Sequence, residues 1–172
     1  PHPLDPLSSE ELTLAVEIIR EQAQLDPRAL FEQVRLREPE KSLVHQFVAG
    51  NNIEREAFAV ILDRNADKVY EAVVRLNDAT LQSFTWVPGV RVCTLAEEAT
   101  EMQEVVRQHP DFIAGLKRRG IENIQQVLVE AFAVANLAEP DEKDLRHTRA
   151  HCFYVENPGD NTYARPVEGL VP

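Results

Sequence analysis

Ala57-Phe58-Ala59-Val60-Ile61-Leu62, then Arg64-Asn65-Ala66-Asp67, then Val69-Tyr70-Glu71-Ala72-Val73-Val74-Arg75-Leu76 is the stretch that decides the fold. The first run is apolar. The tetrapeptide after it is turn-like. The second run alternates and places Tyr70, Ala72, Val74 and Leu76 on one face, the period of a strand half covered by a core. Asn77-Asp78-Ala79 turns the chain again, and Leu81 to Val87 returns. Three runs joined by short turns predict an antiparallel sheet.

Upstream of the sheet lies a helix signal. Ser8-Ser9-Glu10-Glu11 reads as a capping box, Ser8 with Glu11, and Leu12, Ala15, Val16, Ile19 and Ala23 follow at helical spacing. The helix is predicted from Ser9 to Gln24 and ends before Asp26-Pro27. Leu30 to Leu36 is a predicted strand, broken by Pro39. Ser42 to Ala49 is a predicted short helix, stopped at Gly50-Asn51-Asn52.

Downstream, Val87-Pro88-Gly89 marks a boundary, and the plan repeats. Thr94 and Glu97 read as a second capping box. Leu95, Ala99, Met102 and Val106 line one helical face up to Pro110. A further helix runs from Asp111, with Lys117, Arg118 and Arg119 in its last turn and Gly120 as its stop. The period of Val127 to Ala135 fits strand and helix alike. Arg149 to Val155 is a predicted strand, Asn157-Pro158-Gly159-Asp160 a turn, and Tyr163 to Val171 the start of another strand. Two α+β domains are therefore expected, 1–88 and 90–172. The second stops where its returning strand is due, and an edge left open there predicts truncation at the C-terminus.

Composition bounds what the chain does. Among 172 residues, 29 acidic side chains against 18 basic ones give a net charge of −11, which repels nucleic acid and anionic membrane surfaces. No apolar run reaches the ~18 to 20 residues of a membrane span. The Pro-rich, acidic start is no signal peptide and lacks an initiator Met, so the chain reads as a processed or excised soluble form, with cytoplasm and periplasm both open. Cys93 and Cys152 read as reduced thiols, with a single bridge between them left open.

Side chains that could carry chemistry are sparse. His147 and His151 stand four apart, a metal-pair spacing on a helix, but in a strand such residues lie about 13 Å from each other. His2, His45 and His109 stand alone. Glu97, Glu98 and Glu101 read as a solvated helix face. Phe84 and Trp86 alternate with Leu81 and Ser83 and suit a packed sheet face. No phosphate-binding Gly loop, nucleophile elbow or basic stripe is present, so neither catalytic, cofactor-binding nor metal-binding residues are assigned, and a small stand-alone enzyme fits poorly.

Taken in order, several segments resemble the N-terminal region of copper-dependent primary-amine oxidases. They are His2-Pro3-Leu4 with Leu7-Ser8, Phe31-x-x-Val34-x-Leu36-x-Glu38-Pro39-x-Lys41, the aliphatic run to Asp63, Val69-Tyr70-Glu71-Ala72-Val73-Val74, Trp86 and Phe153-Tyr154. The most specific is Tyr163-Ala164-Arg165-Pro166-Val167-Glu168-Gly169-Leu170. The resemblance covers nearly the whole chain. It implies two cystatin-like domains, each a helix packed on an antiparallel sheet, ahead of a catalytic β-sandwich that lies outside these residues.

The resemblance also implies an activity of the full-length protein: oxidation of primary amines to aldehyde, ammonia and hydrogen peroxide by a homodimer with copper and topaquinone. Neither cofactor is expected in this fragment. No Asn precedes a Tyr and no His-x-His pair occurs, so the fragment itself is expected to be inactive. Where the family carries a Val-x-Val-Asp-Pro-Trp-Ser-Ala-Gly type segment, this chain has Val127-Leu128-Val129-Glu130-Ala131-Phe132-Ala133-Val134-Ala135. Phe132 takes the place of an aromatic near the family's substrate channel, and is the substrate-channel candidate beside a plain core reading. The alternative is a free-standing cystatin-like binding or inhibitor module. Its Gln-x-Val-x-Gly hairpin is approached by Gln125-Gln126-Val127-Leu128-Val129, which lacks the Gly that permits close backbone approach.

Overall fold

A computed structural model of the chain describes residues 2–134, 146–167 and 169. The chain divides into two compact units, Pro1–Val92 and Cys93–Pro172.

In the first unit, helix α1 (Ser9–Gln22) precedes strand β1 (Leu30–Arg37), a short helix α2 (Lys41–His45) and strands β2 (Glu56–Asp63), β3 (Lys68–Arg75) and β4 (Thr80–Trp86). The strands form one antiparallel sheet in the order β1-β2-β3-β4. The predicted meander is thus present, with β1 added to its open edge. The β2–β3 turn closes because the Asp63 carboxylate accepts hydrogen bonds from the backbone of Asn65 at 2.9 Å and Ala66 at 3.1 Å.

The capping box is as expected: the Ser8 hydroxyl accepts from Glu11 N at 3.2 Å, and the Glu11 carboxylate accepts from Ser8 N at 2.8 Å. The buried stripe of α1 differs from the sequence reading. Ala15, Ile18 and Ile19 are buried and Leu14 packs beside them, whereas Leu12 and Val16 are only partly covered. The helix is rolled toward Ile18 because Glu11 and Gln22 at either end of that stripe are anchored to the sheet region. Gln22 donates to Ala79 O at 2.9 Å and accepts from Leu81 N at 3.0 Å.

On the sheet, Ala57, Ala59 and Ala72 face the helix and are fully buried beside Ile61 and Val74. Their small side chains let α1 approach closely. Burying Ile19 and Ile61 contributes about 1.5–3 kcal/mol each. Tyr70 stacks on Phe84 at 4.4 Å, but Trp86 is 51% exposed with the Lys68 ammonium over its ring. The expected packed face therefore holds at Leu81 and Phe84, whereas Trp86 lies outside the core of this unit. A register shift between Val73 and Val74 also displaces the alternation of β4.

In the second unit, helices α3 (Ala96–Gln108) and α4 (Pro110–Arg118) and a 3-10 turn (Ile124–Gln126) lead into strands β5 (Val127–Ala133) and β6 (Thr148–Tyr154), an antiparallel pair. Val127 to Ala133 is strand. Val127 and Val129 alternate inward to meet Phe112, Leu116 and Cys152, with Met102 and Val106 of α3 packed on that core. Gly120, at φ 77°, ends α4 in the left-handed conformation expected of a helix stop. Residue 135 of the Val127–Ala135 segment lies outside the described residues.

Two expectations fail here. The α3 cap sits one residue later than Thr94–Glu97: Glu98 accepts from Leu95 N at 3.0 Å, while the Thr94 hydroxyl meets that of Thr148. Leucine has no side-chain acceptor, so only half of a box forms. In place of a strand from Tyr163, a single bridge joins Phe153 to Pro166, with Tyr154 N donating to Arg165 O and Val167 N to Cys152 O. Pro166 has no N–H to continue a ladder. Residues 168, 170 and 171 of that segment lie outside the described residues.

Candidate functional site

β5 and β6 present two faces. Val127, Val129 and Cys152 point into the core. Leu128, Glu130 and Phe132 point outward and stand opposite Phe153, His151 and Arg149 in that order. Phe132 is 46% exposed, and its ring lies 4.6 Å from that of His151. It is thus no core phenylalanine, because the core side of this strand belongs to the valines. Tyr163, 55% exposed, sets its ring edge-on to Phe153 at 5.1 Å and donates its hydroxyl to Glu130 at 3.0 Å. The hydrogen bond to the Glu130 carboxylate, and then its negative charge, push the Tyr163 hydroxyl above its ordinary pKa, so the phenol remains a donor. Glu130 and Tyr163 were not singled out by sequence reasoning. The alternation of Leu128, Glu130 and Phe132 would have placed Glu130 beside Phe132 once the strand was chosen over the helix.

The other histidines are spent on structure or stand apart. His109 Nδ1 accepts from Asp111 N at the start of α4, and His2 Nδ1 accepts from Leu4 N. His45 is exposed, and His151 lies inside a strand. Among the described residues no group of three or more His, Cys, Asp and Glu side chains is placed to hold a metal ion. No described helix is long and apolar enough to cross a membrane. Cys93 is exposed and Cys152 buried, and both are free thiols, so the bridge left open by the sequence is not formed. Burial pushes the Cys152 thiol up.

Two arginine anchors escaped the sequence reading. Arg55, 7% exposed, donates from Nε to Glu11 at 2.6 Å and from Nη2 to the other Glu11 oxygen at 3.0 Å. The same Nη2 reaches the carbonyls of Asp5 and Pro6 at 3.1 Å. The Arg55 guanidinium holds the Glu11 carboxyl below the usual range. In the second unit Arg146 grips the Glu98 carboxylate and also donates to Cys93 O at 3.0 Å. Glu98 is consequently part of a paired, largely covered site, whereas Glu97 is exposed on the helix face.

These are two small α+β units, and the second keeps an aromatic and acidic sheet face open. Family models match each in turn: the N2 domain of copper amine oxidase over residues 2–86 and the N3 domain over residues 97–172. The chain belongs to the copper amine oxidase family and carries its non-catalytic N2 and N3 domains.

A primary amine oxidase of Arthrobacter sp. (strain P1) is 34% identical over 171 residues, 99% of this chain and 26% of that protein. A primary amine oxidase of Klebsiella aerogenes is 28% identical over 99% of this chain and 23% of its own length. Primary amine oxidase 2 of Arabidopsis thaliana is 33% identical over 99% and 26%. The chain thus spans about a quarter of the curated relatives it matches. The crystal structure of a copper-containing benzylamine oxidase from Hansenula polymorpha superposes with a TM-score of 0.72 over 96% of this chain and 27% of that one. At 23% identity this is a likeness of fold. The inhibitor alternative has no support. Val127 and Val129 of its nearest motif are 1% and 0% exposed and point into a core, where they cannot plug a protease cleft.

Proposed function

We propose that these residues are the non-catalytic N-terminal part of an enzyme that oxidises primary amines to aldehyde, ammonia and hydrogen peroxide. The observation that carries the reading is the order of the two family models over residues 2–86 and 97–172, in a chain that spans only 26% of its Arthrobacter relative. On this reading a catalytic β-sandwich domain outside these residues supplies copper and topaquinone. Together the two give redox chemistry that turns a bound primary amine into the aldehyde. The 172 residues themselves hold neither cofactor and turn over no amine. The assembled enzyme is a homodimer. Within the chain the domains are 1–88 and 90–172.

Phe132 is proposed to border the amine entrance. Its support is an outward, half-exposed position on β5 in the segment where the family carries its channel aromatic. An apolar wall there would pass the hydrocarbon part of an amine and keep water from the reacting centre. The whole-protein reading is tested by purifying the product of the complete reading frame with copper and titrating it with phenylhydrazine. A coloured hydrazone saturating near one per subunit, with loss of amine-dependent peroxide release, is the expected result. A protein that consumes no amine and gives no hydrazone would refute the reading.

A further inference from the structure

The outward face of β5–β6 carries a carboxylate that the described residues leave half satisfied. Glu130 Oε1 accepts the Tyr163 hydroxyl at 3.0 Å. Glu130 Oε2 is shielded from solvent and accepts a hydrogen bond from no described residue. His151 stands directly across the strands from Glu130 but lays its ring against Phe132. An acceptor closed off from water without a donor is unfavourable, and for a carboxylate oxygen the best remedy is a cationic N–H donor. Aromatic rings stand on both sides: Phe132 is two residues along the same face, and Tyr163 is bonded to the carboxylate itself. Both rings are about half exposed. Faces of such rings attract a cation, and their edges accept a hydrocarbon chain.

We propose that Glu130, flanked by Phe132 and Tyr163, is a docking site for the ammonium end of the protonated amine substrate on its way to the catalytic centre. The inference rests on the amine-oxidase reading of the whole protein. The ammonium donates to Oε2 after a small rotation of the carboxylate, which Tyr163 keeps anchored through Oε1. The alkyl or aryl part of the amine lies over Phe132. No covalent step occurs here, since the site only captures and orients a cation. A primary amine carries its positive charge at neutral pH, so the interaction acts on every substrate and most strongly on small ones with little apolar surface to hold them elsewhere.

The test uses the full-length copper-loaded enzyme with methylamine and benzylamine as probes. Glu130→Gln keeps the side chain's shape and its Tyr163 acceptor but removes the charge. The expected result is a rise of about tenfold in KM for methylamine and a smaller rise for benzylamine, with the loss falling on KM more than on kcat. Added salt, which raises KM in the parent by screening the attraction, loses most of that effect in the variant. Glu130→Asp restores part of the salt dependence. A KM within about twofold of the parent for both amines, or a rise that leaves the salt dependence intact, overturns the proposal and leaves the amine-oxidase reading standing. An enzyme that oxidises neither amine overturns both.

Discussion

The two units solve the same packing problem to different degrees. In the first, α1 lies on a four-stranded sheet, and ten buried residues form one cluster reaching from Ala15 to Leu76. In the second, α3 and α4 cover one side of a two-stranded ribbon, and the buried cluster among the described residues is Phe112, Leu116, Val127, Val129 and Cys152. Two strands alone are marginal in water. The second unit therefore depends more heavily on each core side chain and on the Arg146–Glu98 grip. Its outward sheet face carries aromatic and charged groups, with Phe132 and Tyr163 about half exposed.

The largest effect expected from this contrast is in the cores. Ile61→Ala in the first unit and Leu116→Ala in the second should each cost about 2–5 kcal/mol, with the second unit the less able to survive its loss. Trp86 is the single tryptophan and lies in the first unit, so its fluorescence reports that unit, and hydrogen exchange of β5–β6 reports the other. A loss below about 1 kcal/mol in either variant would contradict the core role given to that residue.

Next comes the Glu11–Arg55 pair. Glu11→Ala leaves a guanidinium that is 7% exposed without its partner, and should cost about 3 kcal/mol in the first unit alone, measured by denaturant unfolding of Trp86 fluorescence. The pair also sets a pH dependence. The folded-state pKa of Glu11 is depressed, so its contribution is complete above the unfolded glutamate pKa and is lost as the pH falls through the lower folded value. The first unit should lose stability from about pH 4.3 downward. Glu11→Gln should flatten that part of the profile, and an unchanged acid limb would show that other carboxylates dominate.

Smaller effects mark the open face. Phe132→Ala should lower the stability of the second unit by no more than about 1 kcal/mol, because half the ring is already in water. In the full enzyme it should shift kcat/KM between bulky and small amines. A large fall in melting temperature with unchanged amine preference would return Phe132 to the core. Smallest is Tyr163→Phe, which deletes one solvent-exposed hydrogen bond and should barely move the melting curve.

Much of the first unit was legible in the sequence, because hydrogen-bonded turns and a clean two-residue period leave few alternatives for Val69–Leu76. The box at Ser8–Glu11 was equally direct. What escaped was long-range. The roll of α1 onto Ile18 depends on Gln22 meeting Ala79 and Leu81, and on Arg55 reaching Glu11 across 44 residues. Neither leaves a local trace. The helix-or-strand choice at Val127–Ala133 was decided by pairing with β6, which single-segment periodicity cannot express. The same choice hid Glu130 and its tie to Tyr163.

The central claim, that these residues serve an amine oxidase without performing its chemistry, is tested most directly by one paired assay. The 172-residue chain and the product of the complete reading frame are purified with copper in the same way and given methylamine and benzylamine. Amine-dependent hydrogen peroxide is then followed against a copper-free control. The account predicts steady peroxide from the longer protein and none above control from the 172 residues. Sustained peroxide release by the 172-residue chain alone, or none by the longer protein, would contradict it.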